Sequence, residues 1–558
     1  MAAAERTESA VEEFKRSSQH LRGDLASQLV DGAPNVSNEA EQLLKFHGIY
    51  SQDNRDLRRE RAQAGEVLDY SFMARVVIPG GRLSPEQWLS LDAIAEDIAN
   101  GSIRLTTRQA VQFHGVLKTG LRPMSRELSK RLMTTFGGCG DVVRNVVICP
   151  GILAKEPEGS LAKATDRLAT TFRSRSQAYV EVFVEGELAA SIESEPEIEH
   201  EFYGENYLPR KFKIGIADPG DNCIDVFAQD CGLIPGVHPE HGEGFTVIVG
   251  GGLGRSYANP DTFARLGDPL AFVPLAETEG LIAAILATYS DLGDRSDRKR
   301  ARMKYVVADL GFEAFRAEVM TRYGKALHAP LPVMPDINTQ DHLGWTQHAN
   351  DNFQLGIRIG AGRIRDFEGG PQLRTAFREI AQKFSVVFIA TPQQDLLITE
   401  IADQDRAAIT AILSAHGVRD VGELGGVERN AMACPALPTC SQALTEAERR
   451  LPELGDNLEA KLSDHGLKGR RLQLRMTGCP NGCARPAVAE VGVVGRTKSS
   501  YDLYLGGGPQ GTRLAHLHRE KIKLEDVAEE LAPLFDRWRE EGKEDEGFGD
   551  FYDRVLVP

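Results

Sequence analysis

Four short segments of this 558-residue chain recur later in the same order. "VVIPGGRL" (Val76–Leu83) returns as "IRIGAGRI" (Ile357–Ile364). "LTTRQAV" (Leu105–Val111) returns as "ATPQQDL" (Ala390–Leu396), with Thr106 matching Thr391 and Gln109 matching Gln394. "RNVVICP" (Arg144–Pro150) returns as "RNAMACP" (Arg429–Pro435), and "VIVGGGLG" (Val247–Gly254) has a looser echo in "LYLGGGPQG" (Leu503–Gly511). The separation is close to 285 residues for the middle pairs and about 256 for the last, a difference that loop insertions absorb. One matched tetrapeptide is noise; four in one order argue for two copies of one module. The copies are expected at 66–345 and 346–558, with residues 1–65 as a charged N-terminal arm outside the repeat.

Within each copy the local pattern is mixed. "SIRLTTRQAVQFHG", "AYVEVFVEGELAA", "RKFKIGIADP" and "GFTVIVGGG" read as strands punctuated by turns. "SPEQWLSLDAIAEDIANG" reads as a helix, with Ser84 as its cap, Pro85 at the first helical position and Gly101 beyond its end. Strands and helices alternate irregularly, which predicts an α+β fold with a pseudo-two-fold internal repeat and mixed or antiparallel sheets flanked by helices. "VGGGLGRS" lacks both the Walker lysine and the G-x-G-x-x-G spacing, so it reads as a strand-to-turn glycine cluster and not as a nucleotide loop.

The formal net charge is -16. Phosphate contacts need a basic face, so nucleic-acid binding is not expected. No apolar run is long enough to cross a bilayer, and the acidic N-terminus has no secretory apolar stretch. The expected compartment is therefore the cytoplasm. There, clustered cysteines point to metal or redox chemistry before disulfides.

Four of the eight cysteines form two pairs: "CPALPTC" holds Cys434 and Cys440, and "CPNGC" holds Cys479 and Cys483. The spacings C-x5-C and C-x3-C fit zinc knuckles poorly, and the dense ferredoxin run is absent. Four thiolates on two Pro-rich loops still suit a [4Fe–4S] cube; buried free cysteines, the alternative, would be scattered. In the first copy only Cys149 has a counterpart among them, Cys434.

A second constellation is basic. Arg104, Arg108 and His114 lie in "RLTTRQAVQFH", Arg144 in "VVRNV", Arg75 in "FMARVV", and Arg210, Lys211 and Lys213 in "LPRKFK". Alternation puts Lys211 and Lys213 on one strand face, and permits Arg104, Arg108, Gln112 and His114 to share another. Cations that interrupt apolar strands are costly to bury unpaired. They suggest a polyanion: a small oxyanion substrate or a carboxylate-rich cofactor.

"MACPALPTC", "MTGCPNGCARP", "SIRLTTRQAVQFHGVLK", "LPRKFK" and "VRNV" together resemble the sulfite reductase haemoprotein (beta component) family, kin of the ferredoxin-dependent nitrite reductases. The resemblance spans nearly the whole chain. It implies a duplicated sulfite/nitrite reductase module, one sirohaem and one [4Fe–4S] cluster, and the six-electron reduction of sulfite to sulfide for sulfur assimilation and cysteine biosynthesis. It implies that Cys434, Cys440, Cys479 and Cys483 ligate the cluster and that Cys483 also bridges to the sirohaem iron. Arg75, Arg144, Lys211 and Lys213 match residues that bind the substrate anion; Arg104, Arg108 and His114 match residues near the sirohaem carboxylates. With Cys149 standing alone, no second cluster is expected in the first copy. Electrons are expected from a partner protein, an NADPH-dependent flavoprotein ahead of a ferredoxin, with the 1–65 arm as the docking element. The alternatives are a nitrite reductase and a non-catalytic iron–sulfur relay, which would have no use for the cationic residues.

Overall fold

The structure, a computed structural model, describes residues 7–174, the backbone of 181–184 and 187–191, and residues 202–332, 339–348 and 351–557. Of the strand expectation over 178–190, the parts 178–180 and 185–186 lie outside the described residues; Glu181–Val184 and Glu187–Ser191 pair as an antiparallel hairpin.

Four five-stranded sheets carry the fold. Two are antiparallel. The first runs in the order Ile49–Asp53, Tyr70–Val76, Val111–Val116, Ile103–Leu105, Arg363–Ile364; the second runs Gly344–Gln347, Phe353–Ile357, Leu396–Ile401, Val387–Ala390, Arg82–Leu83. Each ends on a two-residue strand from the other copy. Arg82 pairs with Ile389 and Leu83 with Phe388, while Arg363 pairs with Arg104 and Ile364 with Ile103. The exchanged residues are the tails of the matched "VVIPGGRL" and "IRIGAGRI". A Cβ on Gly81 would strike the carbonyl of Ala390, and one on Gly362 the carbonyl of Leu105, so glycine is required at both crossovers.

The other two sheets are mixed and share one topology. Val147–Ile148, Ile214–Ile216 and Cys231–His238 run parallel, followed by antiparallel Gly242–Val249 and Asp268–Pro274. Ala431–Ala433, Leu474–Thr477, Val491–Thr497, Ser500–Leu505 and His516–Ile522 repeat that order.

The matched glutamines explain part of the repeat. Both Gln109 and Gln394 have positive φ (52° and 71°) in their turns. Gln109 donates to the carbonyls of Gly80 and Ala390 and accepts from the amide of Ile148; Gln394 donates to the carbonyl of Ala433 and accepts from its amide. Thr106 and Thr391 accept from backbone amides four residues on. Each threonine closes a turn, and each glutamine ties that turn to a mixed sheet.

The helix Pro85–Asp97 begins with a capping box between Ser84 and Gln87. Its Trp88 stacks on Phe388 of the other copy, ring centroids 4.6 Å apart. One hydrophobic core accordingly runs from Leu21 to Leu413 across both antiparallel sheets, and a second spans the second mixed sheet. The expected division at 345/346 falls inside the strand Gly344–Gln347.

Among the described residues, 7–65 do not stand apart as an arm. Ile49–Asp53 is an edge strand of the first sheet, and Leu21, Leu43, Leu44 and Phe46 are buried in the large core. Apolar residues at helical spacing in "EAEQLLKF" had to bury that face against something, and the nearest apolar surface is the first sheet. Among the described residues no helix is long and apolar enough to cross a membrane.

Candidate functional site: a cationic cleft over the cysteine loops

A cleft of about 480 Å³ opens between the first mixed sheet and the "CPNGC" loop. Among the described residues, nine arginines and lysines line it and no Asp or Glu does. In a chain of net charge -16, such segregation marks a site built for an anion.

The floor is the cysteine pair. Cys479 and Cys483 line the cleft, and Cys483 is exposed to it. Cys434 and Cys440 sit behind, on the loop that follows the strand Ala431–Ala433. A Cβ on Gly478 would lie 2.5 Å from the Thr445 carbonyl and 2.6 Å from Ala436, so glycine lets the two loops close on each other. The amide of Gly478 donates to the Cys434 sulfur at 3.3 Å. Burial raises the Cys434, Cys440 and Cys479 thiols, Cys479 to about 12, and mutual repulsion with the Cys483 thiolate adds to it. Deprotonating these thiols together would need a cation among them. Arg55, from the N-terminal segment, donates to the carbonyls of Cys440 and Ala443 and braces the loop from outside.

The wall opposite is the "LPRKFK" segment, expected as a strand but here an extended lead-in to the strand Ile214–Ile216, with Phe212 bridging Val143. Lys211 and Lys213 both face the cleft, as alternation required. Burial, then Arg210 and Arg302, lowers Lys211 to about 7; burial, then Arg302 and Lys211, holds Lys213 well below the usual lysine range. The Cys483 thiolate acts on Lys211 in the opposite sense. An anion entering the cleft would restore both ammonium charges. Arg108 also lines the cleft, from the turn between Leu105 and Val111; it donates to Gln229 at 2.8 Å and its Nε is buried without a partner among the described residues. Burial brings it down to about 9.

The remaining sequence-derived residues lie farther back. Arg75 donates to the Cys139 sulfur (2.8 Å) and the Gly138 carbonyl, and Arg144 to the carbonyls of Gly140 and Gly138. Neither lines the cleft, though the Cys483 and Cys440 thiolates are among the charges acting on Arg75. Arg104 is buried and shares Glu448 with Arg363, so in this structure it is a partner in an ion pair across the strand exchange. It also donates to Gln112, but Arg108 lies in the turn and does not share their face. Both ring nitrogens of His114 are buried and without partners among the described residues. Burial and the neighbouring Arg363 and Arg104 keep its ring neutral.

Several contributors were missed. Arg485, two residues past Cys483, lines the cleft; burial lowers it to about 10. Arg302 lines the cleft too and grips Asp230 with both carboxylate oxygens at 2.8 and 2.7 Å. The same carboxylate accepts from the Lys213 amide at 3.0 Å, which fixes the lysine segment. The signal for Arg302 was the basic run "RSDRKRARMK". Arg298, another missed residue on the lining, shares Asp141 with Arg210, which the basic "LPRKFK" already picks out; Lys15 of the N-terminal helix approaches the same carboxylate at 3.6 Å. The glycine cluster at Gly250–Gly254 is no nucleotide loop: it is the rim of the cleft, where the Arg255 amide donates to the Pro480 carbonyl at 2.8 Å.

The model of the nitrite and sulphite reductase 4Fe-4S domain matches residues 139–327 and 425–555, and that of the nitrite/sulfite reductase ferredoxin-like half domain matches 67–131. A sulfite reductase [ferredoxin] of Synechococcus elongatus is 42% identical over 98% of this chain and 89% of its own length. A sulfite reductase [NADPH] hemoprotein beta-component of Myxococcus xanthus is 42% identical over 98% of this chain and 96% of its own. The solved structure of Mycobacterium tuberculosis NirA protein superposes with a TM-score of 0.79 over 98% of this chain and 96% of that one, at 23% identity, and shares its fold. The paired cysteine loops, the duplicated sheets and these matches together make the chain a member of the nitrite and sulphite reductase family.

Proposed function

We propose that the chain reduces sulfite to sulfide with six electrons, at a sirohaem coupled to a [4Fe–4S] cluster. The carrying observation is the cleft over Cys483, lined among the described residues by nine cations and no carboxylate. An iron–sulfur relay would need the cysteines and not the cations. The residues present suit both cofactors. Cys434, Cys440, Cys479 and Cys483 would hold the cluster, and Cys483, the one open to the cleft, would stand nearest the sirohaem. The unpartnered Arg108 Nε, with Arg485 and Arg255, suits the carboxylates of a sirohaem. When bound, the coupled pair supplies single electrons to the sulfur.

The protein's own part is charge and protons. Lys211 and Lys213 neutralise the oxyanion; an ammonium held near neutrality gives up a proton readily and can be recharged from solvent. Arg75 and Arg144, fixed on the 138–140 carbonyls, add permanent positive charge behind the lysines. Arg104 and His114 stand behind the cofactor cleft, Arg104 anchoring the exchanged strands. Electrons come from a partner protein. An NADPH-dependent flavoprotein is preferred to a ferredoxin because a chain of charge -16 repels an acidic partner. The thiolate ligands need a reducing compartment, which favours the cytoplasm.

The test is a visible spectrum and a product assay on the purified protein with a chemical reductant. Tetrapyrrole bands and stoichiometric sulfide are expected; cluster absorption alone, or no sulfide from sulfite, refutes the reading.

A further inference from the structure

The first copy holds its own cluster of ligating side chains. Cys149, Asp221, Cys223 and His342 bring one sulfur, oxygen or nitrogen each to within 4.8 Å of one another. The Cys149 sulfur lies 3.4 Å from Asp221 Oδ2 and 3.9 Å from His342 Nε2, and His342 Nε2 lies 2.9 Å from Asp221 Oδ2. Both cysteines are 1% exposed. None of the four lines the cationic cleft.

We propose that these four side chains form a structural zinc site. Thiolate, imidazole and carboxylate are all zinc ligands, and four of them fill zinc's preferred coordination number with no position left open for a substrate. The carboxylate is already aimed: Asp221 Oδ1 accepts from the amides of Cys223 (3.1 Å) and Gln340 (3.0 Å), which turns Oδ2 towards the thiols and the ring. On binding, Zn²⁺ displaces the protons of both thiols, and the ring nitrogen exchanges its contact with Asp221 for the metal.

The internal symmetry gives an independent reason for this convergence. Cys149 stands at the position of Cys434, in "RNVVICP" against "RNAMACP". Cys223 stands at that of Cys483: each lies two residues before a left-handed residue, Asp225 or Arg485, that caps a short 3-10 turn leading into equivalent strands. The module therefore brings these two loop positions together in both copies. In the second copy the remaining ligands are cysteines on the same loops. In the first they are Asp221 and, from the segment joining the copies, His342. The expectation that Cys149 stands alone is thus corrected, and the reason is tertiary: its neighbours are 72 and 193 residues away in sequence.

The site would pin the connecting segment to the loop that carries Asp225. Metal analysis of the full-length protein, purified without chelator and then exposed to one equivalent of Zn²⁺ and dialysed, tests it. About one zinc per chain is expected, and zinc-edge X-ray absorption should show two sulfurs at about 2.3 Å and two lighter ligands at about 2.0–2.1 Å. Cys223→Ser and His342→Gln should each lose the zinc while keeping iron content and visible absorption. Absence of zinc from the wild-type protein overturns the proposal, as does a mass two lower than calculated, which would mean a Cys149–Cys223 disulfide. Zinc retained equally by both variants, or a zinc spectrum without sulfur, also overturns it.

Discussion

Asp225 and Arg485 occupy equivalent positions in the two copies, both with left-handed backbone (φ 51° and 59°), and they form an ion pair with each other, the carboxylate 3.1 Å from Arg485 Nε. The same carboxylate accepts from Arg475 at 2.7 Å. One copy's loop thus carries the counter-charge for the other copy's loop, at the point where Cys483 enters the cleft. Arg485 also donates to the carbonyls of Cys223 and Pro392, so it fastens three segments.

Asp225→Ala should be strongly destabilising. It leaves two buried guanidiniums without a counter-charge, a change that costs about 3–5 kcal/mol when a buried pair is broken. A thermal midpoint several degrees lower is expected, with reduced iron retention because the Cys483 loop loses its anchor. A variant with unchanged midpoint and iron would show that the pair is not structural.

Lys213→Asn separates two oxyanions. A charged hydrogen bond is worth about 1.5–3 kcal/mol, so kcat/KM for sulfite should fall about ten- to a hundredfold. Nitrite is smaller and carries one charge where sulfite can carry two, so its turnover should fall less. Steady-state kinetics with both anions decide it, and equal losses would remove Lys213 from the basis of preference.

Cys483→Ser should abolish sulfite reduction. Serine is the poorer ligand for iron, and Cys483 is the most exposed of the four paired cysteines. Iron content and visible absorption should change together. Full sulfide production by this variant would sink the assignment of Cys483.

His47 ties the N-terminal segment to acid stability. It is buried, with Nε2 2.9 Å from the Leu21 carbonyl, and burial lowers it from the ordinary 6.5 to about 4. The folded protein resists a proton that the unfolded chain accepts. Its contribution is therefore complete above pH 6.5 and is lost as pH falls towards 4, by about 2 kcal/mol at pH 5. Denaturation of wild type and His47→Gln at pH 8 and pH 5 should show a smaller pH loss in the variant; identical losses would refute the linkage. Deleting residues 1–65 would strip an edge strand and part of the core, so a loss of partner-driven turnover on that deletion would not by itself report docking.

The sequence by itself settled the duplication, because each repeated turn needs the same Thr and Gln to close it and the motifs survive as local strings. It settled the two thiol loops and the shared face of Lys211 and Lys213, since loop chemistry and strand alternation are also local. Only the tertiary structure decided the exchange of Arg82–Leu83 for Arg363–Ile364, the diversion of Arg104 to Glu448, the arrival of Arg302 and Arg485 at the cleft, and the meeting of Cys149 with Cys223, Asp221 and His342. Each joins residues far apart in sequence: Arg104 and Glu448 are separated by 344 positions. Periodicity reports which face of an element is buried, but which charge meets which across that face is fixed by the packing of whole sheets.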